Sequence, residues 1–148
     1  MSSTHVPLIS SGTVGPLGVL HLPRLWLKAS LESRGLLASG YPGIGGGYDM
    51  MVITGLGLEA DAVRAFLAAS RPTYPQFEAW IKAQPGAKLT NANIYALNLS
   101  ISGYIHADEV RKGILDANQL PDDGSHLPDA IHLNNLDDWF EFHQAVLK

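Results

Sequence analysis

The sequence predicts an all-α domain, and three observations carry that reading. Apolar residues recur at helical spacing in at least five segments. Helix-start residues stand immediately before several of them. No run of strict polar–apolar alternation extends beyond a few residues. With 148 residues the chain is long enough to bury a full core without disulfides or metal. Its 46% hydrophobic and 16% charged content are those of a globular protein.

Residues 1–20 are rich in Ser, Gly and Pro, which predicts an irregular N-terminal arm. Its apolar members, among them Val6, Leu8, Val14, Leu17 and Val19, predict that the arm packs along the domain. Residues 21–148 then form a single helical domain of six to seven helices. The first helix is expected from Leu22 to about Leu37, with Leu22, Leu25, Trp26 and Ala29 on one apolar face. Arg24, Lys28 and Glu32 share a polar face at four-residue spacing. The Gly40–Gly47 segment breaks the helix, and Tyr48–Thr54 forms a short one. A helix over Glu59–Ala69 opens with acids that suit the helix dipole. Thr73-Tyr74-Pro75-Gln76 is a capping box for a helix that carries Phe77, Trp80 and Ile81 inward. Thr90 caps a helix bearing Ile94, Leu97, Ile101 and Tyr104, and Asp108 and Glu109 open another that ends near Ala117. A last helix is expected after Asn134 or Asn135, with an apolar stripe of Leu136, Trp139, Phe140, Val146 and Leu147. Ile131-His132-Leu133 before it reads as extended.

Composition excludes several classes of function. Without cysteine there is no disulfide framework, thiolate zinc site, iron–sulfur cluster or thiol catalysis. A net charge of −4 argues against nucleic acid as a partner. No apolar run approaches the roughly 18 residues of a membrane span, so no membrane partner is expected. The first twenty residues lack the positive start of a secretory signal, which predicts a cytoplasmic protein.

The candidate ligand-binding residues are Arg24, Lys28, Gly45, Gly46, Gly47, Tyr48 and His143. Arg24 and Lys28, one turn apart, can converge on a carboxylate or phosphate; they can equally form a solvated face with Glu32. The bend Gly45-Gly46-Gly47 is neither a dinucleotide fingerprint nor a Walker A loop. It can offer backbone N–H groups to an anion at the start of the Tyr48 helix, or serve as a tight helix crossing. His143 falls on the apolar stripe between Phe140 and Leu147, as a half-buried acid–base group or a core residue. His106 stands beside Asp108 and Glu109, as a metal corner or an N-terminal polar cluster. Asp137 and Asp138 sit in the expected first turn of the last helix, where dipole compensation explains them. No catalytic set, metal site or cofactor motif is assigned. These features predict a non-catalytic domain that binds a small anionic ligand or a protein partner, with homo-oligomerisation left open. The alternative is a small enzyme using His143 or His106 as acid–base residue or metal ligand.

Leu22-Pro23-Arg24 followed by Lys28, the glycine bend before Tyr48-Asp49, and Gly55-Leu56-Gly57-Leu58 occur in that order. Phe77-Glu78-Ala79-Trp80, Tyr104 with His106, Glu109-Val110-Arg111, and Leu133-Asn134 through Leu136, Asp138-Trp139 and His143 follow. From about Val14 onward the chain resembles the bacterial domain-of-unknown-function family numbered five thousand and sixty-nine. The resemblance implies a small bacterial helical protein without an established activity, and supplies no catalytic residues. Many members carry Asp just before the helix-one lysine, where this chain has Leu27.

Overall fold

A computed structural model describes residues 3–148. Its helices are α1 (Leu22–Ser33), α2 (Tyr48–Gly55), α3 (Ala60–Ser70), α4 (Tyr74–Lys82), α5 (Asn91–Ser102), α6 (Asp108–Ala117) and α7 (Ala130–Phe142). A π-helical turn, His143–Leu147, follows α7. Among the described residues, extended pairing is limited to two isolated bridges, His5 with Leu37 and Ile105 with Asp129. The fold is all-α.

Side-chain caps set three of the helix starts. Thr73 and Gln76 form the full capping box of α4, and Thr90 accepts from the Asn93 N–H at the start of α5. Asp129 accepts from the His132 N–H and caps α7, which begins at Ala130; the cap lies five residues before the earlier of the two expected ones. Ile131 and Leu133 are therefore helical, not extended, and Asp137 and Asp138 lie inside α7, beyond the reach of dipole compensation at its start. α1 ends at Ser33 and not near Leu37, because Gly35 adopts a φ of 69° and turns the chain out of the helix. After α2, Gly57 has a φ of 73°, and a Cβ there would lie 2.2 Å from the Gly86 carbonyl oxygen. Only glycine lets these two turns touch.

Leu22, Leu25, Ile53, Leu56, Leu67, Phe77, Ile81 and Ile101 are fully buried and draw α1 to α5 around one core. A smaller cluster of Ile114, Leu115 and Leu133 joins α6 to α7. Trp80 is not fully buried: it lies at the core margin, stacked at 4.7 Å on Phe66 and 6.2 Å on Phe77. α7 turns Ala130, Leu133 and Asp138 inward, so Trp139, rotated by about 100° from Asp138, faces out and is 63% exposed. Val146 and Leu147 in the π-helical turn are exposed as well, which breaks the expected apolar stripe.

Polar side chains of α4 and α5 hold the end of the arm. Buried Glu78 accepts from the Leu17 N–H at 3.2 Å. Asn98 accepts from the Leu20 N–H at 2.9 Å and donates to the Gly18 carbonyl at 2.8 Å. Tyr104 lies beyond the end of α5, and its carbonyl accepts from the Ala130 N–H, tying that segment to the start of α7.

Candidate functional site

The charged side of α1 is buried. Arg24 is 5% and Lys28 7% exposed, so neither belongs to a solvated face. Glu32 pairs instead with Arg64 on α3 and accepts from the Gly43 N–H. A buried charge is tolerated only with a partner and satisfied hydrogen bonds. Arg24 meets that condition through Asp138, 114 positions away: Nη1 donates to Oδ2 at 2.5 Å and Nη2 to Oδ1 at 3.1 Å. Nη1 also faces the Pro7 and Ile9 carbonyls at 2.8 and 2.9 Å, so the same guanidinium pins the arm. The Tyr41 hydroxyl donates to Asp138 Oδ1 at 2.9 Å. Burial, and then the charge of Asp138, push the Tyr41 phenol up and keep it protonated. Arg24 is thus committed to the fold, and an anion clamp centred on its guanidinium is not formed.

Lys28 Nζ donates to Asp49 Oδ2 at 2.6 Å, and the Gly45 N–H donates to the same oxygen at 2.8 Å. Asp49 Oδ1 lies 2.6 Å from His21 Nε2, and His21 Nδ1 lies 2.9 Å from Ser11 Oγ. One arrangement satisfies the row: Ser11 O–H donates to Nδ1, and neutral His21 donates its Nε2–H to Asp49. Burial holds His21 below its ordinary pKa. For Asp49, burial alone would raise the carboxyl, but the His21 hydrogen bond, the Lys28 ammonium and the Gly45 N–H outweigh it. The Ser–His–Asp connectivity resembles that of a hydrolytic triad, yet Ser11 is 0% exposed and its oxygen has no access to a substrate. His21 achieves this position through a left-handed backbone, φ 70°, just before α1.

Above these two ion pairs lies a cavity of about 310 Å³ between α1, the glycine bend, the start of α2 and α7. Arg24, Lys28, Gly45, Gly46, Gly47 and Tyr48 all line it. His143 does not. It is exposed in the π-helical turn and borders a separate depression with Ala117 and Gln144, because α7 ends before the stripe that would have buried it. Tyr48 serves the fold at the cavity wall: its hydroxyl donates to the Ile101 carbonyl at 2.7 Å and its ring packs 5.4 Å from Tyr104. Gly46 and Gly47 differ from it. A Cβ on either would meet nothing within 4 Å, and among the described residues no side chain caps α2.

Of the remaining wall the sequence singles out His106 as a candidate, and not Tyr104, Asn134 or Asp137 as its neighbours in a site. Tyr104 and His106 come from the segment between α5 and α6, and Asn134 and Asp137 from α7. His106 is not a metal corner with Asp108 and Glu109; its Nε2 donates to Asn134 Oδ1 at 2.8 Å. Asp137 has no hydrogen-bond or ion-pair partner among the described residues. Burial, followed by the charges of Glu141 and Asp138, raises its carboxyl. No three His, Asp or Glu side chains among the described residues come together in a way that could hold a metal ion. No helix there is long and apolar enough to cross a membrane. No family model, curated protein or solved structure matches the chain.

Proposed function

We propose that this protein is a non-catalytic small-molecule binder whose cavity takes the anionic group of its ligand at the start of α2. The observation that carries the reading is the meeting of two kinds of donor on one wall. Gly46 and Gly47 leave the uncapped α2 terminus open, and the N–H groups of a helix start favour negative charge. Lys28, 7% exposed, has three N–H groups and spends one on Asp49. Its partner Asp49 cancels much of its field, so binding relies on directed hydrogen bonds in a desolvated setting more than on net charge.

Inorganic phosphate and succinate are expected to raise the melting temperature relative to chloride at equal ionic strength, by mass action on the folded state. Gly46→Asp places a carboxylate beside the same helix start, in open space. The variant should fold at least as stably as the parent and lose about tenfold or more in apparent affinity, the cost of setting a like charge against the ligand. An undiminished response would place the anion elsewhere.

Acid–base chemistry is the second reading, and one observation favours it. His106 lines the same cavity with Nε2–H on Asn134 Oδ1, and in the neutral ring that bond leaves the lone pair on Nδ1. A base oriented by a second group is the arrangement proton transfer needs.

A further inference from the structure

We infer that the ligand is a zwitterion, carrying a primary ammonium that seats on Asp137 and His106 together with the anionic group held at the start of α2. This rests on the binding reading above and adds the second half of the ligand. The charges lining the cavity pair off almost completely. Arg24 is held by Asp138 and Lys28 by Asp49. Asp137 remains, half-buried on the cavity wall and with no partner among the described residues. Arg24 on α1, whose charge acts on the Asp137 carboxyl, is already committed to Asp138.

His106 adds a second acceptor to that wall. Its Nε2–H donates to Asn134 Oδ1, which leaves Nδ1 of the neutral ring as an acceptor with no donor among the described residues. A half-buried carboxylate and a ring nitrogen, both on residues of one cavity wall and neither with a donor among the described residues, can accept together from one ligand N–H group. A hydroxyl offers one donor and no charge. A primary ammonium offers three donors and a compact positive charge, which matches a carboxylate beside a ring nitrogen. A volume of about 310 Å³ lies at the lower end of small-molecule sites and suits a short chain joining the two ends. Amino acids and amino-phosphates share this chemistry.

The test uses the full chain and three matched sets of compounds. These are the ω-amino acids from glycine to 5-aminopentanoate, the alkanoates of the same length, and the corresponding alkylamines. Thermal shift and titration calorimetry are read at constant ionic strength, with an aminoalkyl phosphate alongside to separate carboxylate from phosphate as the anionic end. At least one amino compound should bind about tenfold or more tightly than its alkanoate, the worth of a hydrogen bond to a charged group. Asp137→Asn should abolish that advantage while leaving the alkanoate response in place. The variant keeps shape and removes an unpaired charge, so it should fold; Asp137→Ser repeats the test with a smaller side chain. Equal binding of amino acid and alkanoate, unchanged in Asp137→Asn, overturns the zwitterion and leaves the anion site standing. Binding of alkylamines as strong as that of the amino acids overturns the anion site and the zwitterion with it. No response from any compound overturns both.

Discussion

Arg24→Ala is expected to cost about 3–5 kcal/mol, the range for removing one partner of a buried ion pair. For a chain of this size that is a fall in melting temperature of about 10 °C. Alanine leaves Asp138 buried with only the Tyr41 hydroxyl as donor, and removes the donor facing the Pro7 and Ile9 carbonyls. Two measurements separate these effects. A double-mutant cycle of Arg24→Ala with Asp138→Ala isolates the pair, because neighbours in one network do not add. Limited proteolysis between residues 3 and 20 reports the arm, which should be cut faster in Arg24→Ala. A variant that melts within about 1 kcal/mol of the parent would contradict the burial of this pair.

Asp49→Asn should be comparably destabilising, by about 3–5 kcal/mol, since it strands the Lys28 ammonium in a buried position. The same row of groups predicts how stability varies with pH. His21 is held below its ordinary value of 6.5, so below that pH the unfolded chain takes up a proton that the folded one refuses. Stability is therefore full above about 6.5 and declines as pH falls toward the folded value. Asp49 is held below its ordinary 3.8, so its contribution is present above 3.8 and is lost as pH falls through the lower, folded value. Urea unfolding between pH 8 and pH 3 should show the first decline beginning near 6.5. His21→Gln should remove that early decline and leave the later one. Constant stability from pH 8 to pH 5 in the parent would contradict a neutral, buried His21.

Local signals read well in this chain because they act over three or four residues. Thr73 with Gln76 and Thr90 with Asn93 are caps whose donors and acceptors are near neighbours in sequence, and the helices they start are where the spacing places them. Asp129 is the same kind of signal. It lies in a polar Pro/Asp/Gly stretch, where it reads as loop, and missing it displaced the start of α7 and the setting of Asp137 and Asp138. Arg24, Lys28, the glycine bend and Tyr48 were legible as a cluster because α1 and the bend are close in sequence. Their burial was not, since it depends on Asp49 and on Asp138, 21 and 114 positions away. A polar face four residues apart looks the same whether it meets water or a distant carboxylate. His143 misled for the opposite reason: helical spacing continues on paper through a segment where the backbone has passed into a π-helical turn.

The most direct test of a ligand site in this cavity is an amide and imidazole nuclear magnetic resonance titration with 4-aminobutyrate and with butyrate at constant ionic strength. Amide signals of Gly46, Gly47 and Tyr48 should move with both compounds, along one saturable curve each. The His106 ring signals and the Asn134 side-chain amide should move only with 4-aminobutyrate, because only that compound brings a donor to α7. Shifts spread over the surface without saturation, or confined to residues away from the glycine bend and α7, would contradict a ligand site in this cavity.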